Sequence, residues 1–246
     1  MKIADGVEML EISGSALGKT SVIYPALFWD NNRAILVDTG FPGQLPQIKE
    51  AIDRAGVPFE RLDTVILTHH DIDHIGGAGS ILKESAGKVR ILAHESEEPY
   101  VNGEKTPLKI AKLEENIEAL PEDRKPVYQQ MKLGFQNSRV DVDKTLKDGE
   151  ELPYCGGIRV IFTPGHTLGH ICLYHRQSKT LVTGDALTID NGRLVAPNPS
   201  INHDTDMSMA SLKKLADYHI DNVICYHGGL FCENVNRRLR EIISIS

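Results

Sequence analysis

Residues 62–77 run Leu62-Asp63-Thr64-Val65-Ile66-Leu67-Thr68-His69-His70-Asp71-Ile72-Asp73-His74-Ile75-Gly76-Gly77. The opening six residues, short and rich in apolar and β-branched side chains, have the pattern of a buried strand. The strand runs straight into a loop on which His69, Asp71, Asp73 and His74 fall within six residues. Ile75-Gly76-Gly77 then opens a helix carrying Ile81 and Leu82, and Val89 to Ala93 reads as the next strand. A strand–loop–helix–strand rhythm of this kind indicates α/β organisation.

The same reading extends outward in both directions. Upstream, Val7 to Ile12, Ser21 to Trp29 and Arg33 to Val37 read as strands, with Asp38-Thr39-Gly40 ending the third. Leu45, Ile48 and Ile52 recur at helical spacing as far as Gly56. Downstream, Ile110, Leu113, Ile117 and Leu120 repeat at three and four, Pro121 breaks the pattern, and Val127, Tyr128, Met131 and Phe135 resume it. Residues 95–140 are therefore expected to be a helical insertion, serving as an outer layer or as a wall over a site. The second half repeats the first in outline, with strands at Ile158 to Phe162, Ile171 to Tyr174, Thr180 to Val182 and Val223 to Tyr226. A helix is expected from Asp206 to Tyr218 with Thr205 as its N-cap, and another at the end of the chain. No low-complexity linker interrupts this, so the expectation is one domain over residues 1–246, of two similar halves.

Bulk properties narrow the function. The chain has 246 residues, 41% hydrophobic and 25% charged, with a formal charge of −7 and no dense Lys/Arg block. Phosphate contacts need clustered basic side chains, so neither a nucleic-acid partner nor an anionic membrane surface is expected. No run approaches the roughly 20 apolar residues of a membrane span, and the start has no continuous apolar segment, which predicts a cytoplasmic protein. The four cysteines form no CxxC pair and read as isolated thiols in a reducing compartment.

Of the ten histidines, the informative ones stand beside acids at strand exits. His69, Asp71, Asp73 and His74 occupy one such exit. His166 follows another, in Thr163-Pro164-Gly165-His166-Thr167-Leu168-Gly169-His170. Asp185 follows a third, in Thr183-Gly184-Asp185, and His227 a fourth, in Cys225-Tyr226-His227-Gly228-Gly229. Neutral imidazole with carboxylate is the donor set of zinc, iron or manganese. His94, His175, His203 and His219 have no partnered motif and read as surface or core residues, and Tyr226 as packing.

In this order, Leu36-Val37-Asp38-Thr39-Gly40, the Thr68–Gly77 loop, the Thr163–His170 segment, Thr183-Gly184-Asp185 and His227-Gly228-Gly229 resemble the metallo-β-lactamase superfamily along nearly the whole chain. The resemblance implies an αββα sandwich, two β-sheets packed face to face with helices outside and a site at one edge. It implies that His69, Asp71 and His166 hold a first metal, that Asp73, His74 and His227 hold a second, and that Asp185 bridges them. Asp38 would either support the centre from behind, as the resemblance implies, or simply form the turn, and His170 would be structural.

One departure stands out. The family usually has the spacing H-x-H-x-D-H, whereas here Asp71 occupies the place of the second histidine. Either Asp71 ligates through a carboxylate oxygen, or His70 swings in to replace it. An extended loop points successive side chains in opposite directions, which favours Asp71. A third carboxylate also leaves the site one charge less positive, which predicts tight metal binding but a less acidic bound water.

The function this implies is a metal-dependent hydrolase in which two divalent ions, zinc first and iron or manganese next, activate water. Asp73 and Asp185 would be the catalytic carboxylates, and the substrate a small lactone, ester or thioester. An iron oxidoreductase on the same fold, or a catalytically quiet metal-binding or ligand-sensing protein, are the competing readings.

Overall fold

The structure, a computed structural model, describes residues 1–16 and 19–244. The first half supplies strands β1 (Lys2–Ala4) and β2 (Val7–Met9), a hairpin of β3 (Ile12–Ala16) and β4 (Lys19–Ile23), then β5 (Ala26–Trp29) and β6 (Ala34–Val37). Helix α1 (Leu45–Arg54), β7 (Leu62–Ile66), the single turn α2 (Ile72–Ile75), α3 (Ala78–Glu84) and β8 (Arg90–His94) follow. Helices α4 (Glu98–Val101), α5 (Leu108–Glu114) and α6 (Lys125–Asn137) lead to β9 (Lys144–Leu146). The second half contains β10 (Glu151–Leu152), β11 (Ile158–Phe162), β12 (Ile171–His175), β13 (Thr180–Val182), a small ribbon of β14 (Thr188–Asp190) and β15 (Arg193–Val195), α7 (Thr205–Leu215), β16 (Asn222–Cys225), β17 (Gly229–Phe231) and α8 (Val235–Ser244).

Among the described residues two large sheets form, ordered β1-β2-β5-β6-β7-β8-β9 and β10-β11-β12-β13-β16-β17, beside the two-stranded β3-β4 and β14-β15. Period-two alternation assigns each strand's side chains to two different cores. On β6, Ile35 and Val37 point into the space between the sheets, while Ala34 and Leu36 point outward beneath the helices. On β12, Ile171 and Leu173 face inward, and Cys172 and Tyr174 face outward. The outer core of the first sheet is closed by Ile48 and Ile52 of α1, Ile81 of α3, Ile110 of α5 and Phe135 of α6. That of the second is closed by Leu212 and Leu215 of α7 with Leu239 and Ile242 of α8. The layers are thus helix, sheet, sheet, helix, the αββα sandwich expected from the sequence.

Local departures from the sequence reading have simple causes. The apolar stretch Val7 to Ile12 is two strands, and Ser21 to Trp29 is broken at Tyr24-Pro25, since proline has no N–H for a ladder. The N-cap of α7 is Asp204 rather than Thr205, its carboxylate accepting from the Met207 N–H at 2.8 Å. No helix among the described residues is long and apolar enough to cross a membrane. The four cysteines are unpaired, and burial pushes the Cys172 and Cys225 thiols up to about 12.

Strand direction positions the site. β6 runs parallel to β7, and β13 parallel to β16, while two antiparallel steps turn β11 the same way as β13. Within each sheet the C-terminal ends of these strands therefore point to one edge, and the loops that leave them bring the candidate donors of both sheets together.

Candidate metal centre

The loop after β7 is held from below by Asp38. This residue adopts φ +63°, an uncommon conformation for a side chain other than glycine. Its carboxylate accepts from the Thr68 N–H and Thr68 Oγ1, both at 2.8 Å, and from His74 Nδ1, also at 2.8 Å. The α2 turn begins at Asp71, whose carbonyl accepts from the His74 and Ile75 N–H groups. Gly77 must be glycine for contact reasons, because a Cβ there would lie 2.3 Å from the Thr39 carbonyl oxygen. That approach lets Thr39 Oγ1 donate to the His74 carbonyl and accept from the Gly77 N–H.

Three of the four histidines of the cluster, His69, His74 and His166, share one arrangement in which Nδ1 is engaged and Nε2 is presented. His69 Nδ1 lies 3.0 Å from Thr68 Oγ1, which itself donates to Asp38. His74 Nδ1 donates to Asp38, and His166 Nδ1 to Asn202 Oδ1 at 3.2 Å. Fixing the tautomer in this way leaves the Nε2 lone pair free for an ion.

Donor atoms of the seven residues converge in two groups, His69, Asp71, His166 and Asp185, and Asp73, His74 and His227. In the first, Asp71 Oδ2 lies 3.3 Å from His69 Nε2 and 3.0 Å from His166 Nε2, and Asp185 Oδ2 lies 3.4 Å from His166 Nε2. In the second, His227 Nε2 is 3.2 Å from Asp73 Oδ2, and Asp185 Oδ1 is 3.3 Å from His74 Nε2 and 3.5 Å from His227 Nε2. Asp185 thus turns one oxygen to each group. Separations of about 3.3 Å are the edges of a donor tetrahedron around an ion with bonds of about 2.0–2.1 Å. His74 Nε2 and Asp185 Oδ1 are buried without a hydrogen-bond partner in the protein, a costly state that a cation between them would relieve. The residues therefore fit a pair of divalent ions.

The donors also polarise one another. Burial pushes the Asp185 and Asp71 carboxyls up, but the charges facing them prevail and hold both well below the usual carboxylate range. For Asp185 these are chiefly His74 and His227, and for Asp71 they are Lys109, His166 and His69. Burial pushes His74 down, yet the carboxylates of Asp38, Asp185 and Asp73 raise it well above an ordinary imidazole.

His70 points away from the cluster. Its N–H donates to Glu97 Oε2 at 2.8 Å, its Nδ1 donates to the same oxygen, and its ring stacks on Tyr100 at 4.4 Å. Glu97 Oε1 accepts from Thr167 Oγ1 at 2.7 Å and from the Gly169 N–H at 2.6 Å. This fully buried carboxylate ties the His69–His74 loop to the loop bearing His166. Burial pushes its carboxyl up, but the charge and hydrogen bonds of His70 outweigh that and bring it to about 2. His170 is structural. Its Nδ1 donates to Thr163 Oγ1, and its Nε2 accepts from the Asp185 N–H at 3.1 Å, fixing the turn that presents Asp185. At that turn Gly184 takes φ +48°, and a Cβ would stand 2.8 Å from His170 Nε2.

Other histidines divide. His94 stacks on Phe162 and His175 on Phe28, both buried, whereas His219 is exposed. His203 is exposed and lines a groove of about 580 Å³ between α5 and residues 198–203, opening on Asp71 and His166. Leu108, Lys109, Ile201 and Asn202 also line it. Tyr226 does more than pack, since its hydroxyl donates to the Asp73 carbonyl and its ring lies 3.9 Å from that of His74. Sequence reasoning missed Glu97, Asn202 and Lys109, whose ammonium pairs with Asp71 Oδ2. Lys109 thus pairs with the extra carboxylate that stands where the family has a histidine.

Comparison with known proteins shows the family. The family model described as the metallo-beta-lactamase superfamily matches residues 21–227. The chain is 29% identical over 209 residues to the probable metallo-hydrolase YflN of Bacillus subtilis (strain 168), covering 79% of this chain and 75% of that protein. It is 28% identical over 178 residues to a hydroxyacylglutathione hydrolase of Brucella anthropi, covering 72% of this chain and 52% of that enzyme. Among solved structures, a metallo-beta-lactamase family protein from Thermus thermophilus matches with a TM-score of 0.75 at 24% identity, over 99% of this chain and 80% of that one.

Proposed function

The chain belongs to the metallo-beta-lactamase superfamily, and from that premise we propose that it is a hydrolase of a small lactone, ester or thioester that works with two divalent ions, zinc first among them. The observation that carries this reading is the division of Asp185, with one carboxylate oxygen toward each of two imidazole–carboxylate groups. His69, Asp71 and His166 would hold one ion, Asp73, His74 and His227 the other, and Asp185 both. Such ions supply Lewis acidity, making water nucleophilic near neutral pH and polarising the carbonyl under attack.

The protein's own groups do the rest. The Asp73 carboxylate, on the more open side beside His227, would orient the attacking water by accepting a hydrogen bond from it while ligating. Asp38, Asn202 and Thr68 keep the imidazoles in the ligating tautomer. The groove beside His166 has the volume of a small-molecule pocket, and Leu108 and Ile201 give it apolar walls suited to an acyl group. The similarity to a hydroxyacylglutathione hydrolase supports thioesters within this class. Buried Cys172 and Cys225, whose thiols stay protonated, are unsuited to act as nucleophiles.

Zinc-loaded protein assayed against lactones, oxoesters and thioesters tests the reading. Turnover is expected on at least one class, falling at least about a hundredfold in Asp185→Asn and Asp73→Asn. No turnover across the panel with two ions bound would reject it. Two irons with visible absorbance in natively produced protein would favour redox chemistry instead.

A further inference from the structure

Asp71 Oδ2 serves two masters. It is the oxygen that faces His69 Nε2 and His166 Nε2, at 3.3 and 3.0 Å, and it is also the oxygen gripped by Lys109 Nζ. Lys109 comes from α5, outside every ligand loop, and lies where the groove meets the cluster. Its side chain is 41% exposed, so the ammonium has a route away from Asp71 into the groove. The second group is built differently. Asp73 has ion-pair contacts only with His74 and His227, and Asp185 only with histidines, so among the described residues no lysine or arginine pairs with either.

We propose that Lys109 is a built-in cation that competes with a divalent ion for Asp71, so that the two metal sites fill unequally and the His69–Asp71–His166 site is the weaker. The inference rests on the two-ion reading above. An ion entering that site must share Asp71 Oδ2 with the ammonium or drive it off, and like charges within a few ångströms in a partly buried setting repel strongly. The Asp73–His74–His227 site meets no such competitor. The aspartate that replaces a histidine therefore comes with its own occupant. Once displaced, that occupant stands free at the inner end of the groove.

The test is zinc titration of metal-free protein against a chromophoric chelator near neutral pH. Wild type should show two separate steps, with His166→Ala removing the weaker and sparing the tighter. Lys109→Met should tighten the weaker step at least about tenfold and leave the other within about threefold, the size expected from removing one close like charge. Lys109→Arg, which keeps the cation, should retain the wild-type separation, and Lys132→Met, a lysine lost from the neighbouring α6, should change neither step. Thermal melting of the metal-free variants checks that each is folded. An unchanged or weakened first site in Lys109→Met, equal steps in wild type, or loss of the tighter step in His166→Ala would each overturn the inference. Two ions bound with no effect of Lys109→Met would reject this inference alone, whereas no zinc bound by wild type would reject the two-ion reading with it.

Discussion

Replacing Glu97 with glutamine should cost about 3–4 kcal/mol of folding stability at neutral pH, and two ways of counting the same interactions give that size. The first counts hydrogen bonds. The carboxylate accepts from the His70 N–H, His70 Nδ1, Thr167 Oγ1 and the Gly169 N–H in a site closed to solvent. A glutamine of the same shape offers one acceptor oxygen and turns an NH2 group toward two of those donors. Buried donors left unpaired cost about 1–3 kcal/mol each. The second route is proton linkage. A carboxyl held at about 2 against an ordinary 4.5 contributes about 3 kcal/mol when ionised. Because the folded value is the lower one, this contribution is complete above about pH 4.5 and fades as the pH falls toward 2. Urea unfolding of wild type and Glu97→Gln should therefore differ by about 3–4 kcal/mol near neutrality, with the gap narrowing steadily below about pH 4.5. A difference under about 1 kcal/mol, or one independent of pH across the acid range, would refute the reasoning.

Other outcomes follow from the same geometry. Asp71→Ala should lose one of two zinc equivalents by elemental analysis, while His70→Ala keeps both but loses about 3–5 kcal/mol of stability by leaving Glu97 underpaired; metal loss in His70→Ala alone would reverse the assignment. Burial pushes His74, His166 and His227 down, but the carboxylates facing them prevail and raise all three, so each must shed its proton to ligate. Zinc affinity should accordingly weaken as the pH falls through the neutral range, with proton release visible as a buffer-dependent heat, and a pH-independent affinity would contradict this.

Much of the site was legible because its parts are local. A strand exit followed by His69-His70-Asp71-Ile72-Asp73-His74 reports both chain direction and donor chemistry, and the other exits repeat the theme. Alternation along an extended loop also separates the two neighbours, and the structure turns Asp71 toward His69 and His166 and His70 toward Glu97. The supporting groups were silent for the opposite reason. Glu97 sits among Glu95, Ser96 and Glu98, where an acid reads as solvated surface, and only tertiary packing carries it beneath two ligand loops. Lys109 follows the apolar period of α5 as an ordinary flanking charge, and Asn202 follows a Pro/Asn/Ser turn. Nothing within a helical turn of either residue hints at Asp71 or His166. The capping of α7 shows a finer limit, since Asp204 and Thr205 are both good caps and backbone geometry chose between them.

Anomalous diffraction at the zinc edge from a zinc-soaked crystal tests the central claim most directly. Two peaks are predicted, one within bonding distance of His69, Asp71 and His166 and the other of Asp73, His74 and His227, with an oxygen of Asp185 on each. Peaks elsewhere, or zinc bound without His166, Asp185 and His227, would contradict it.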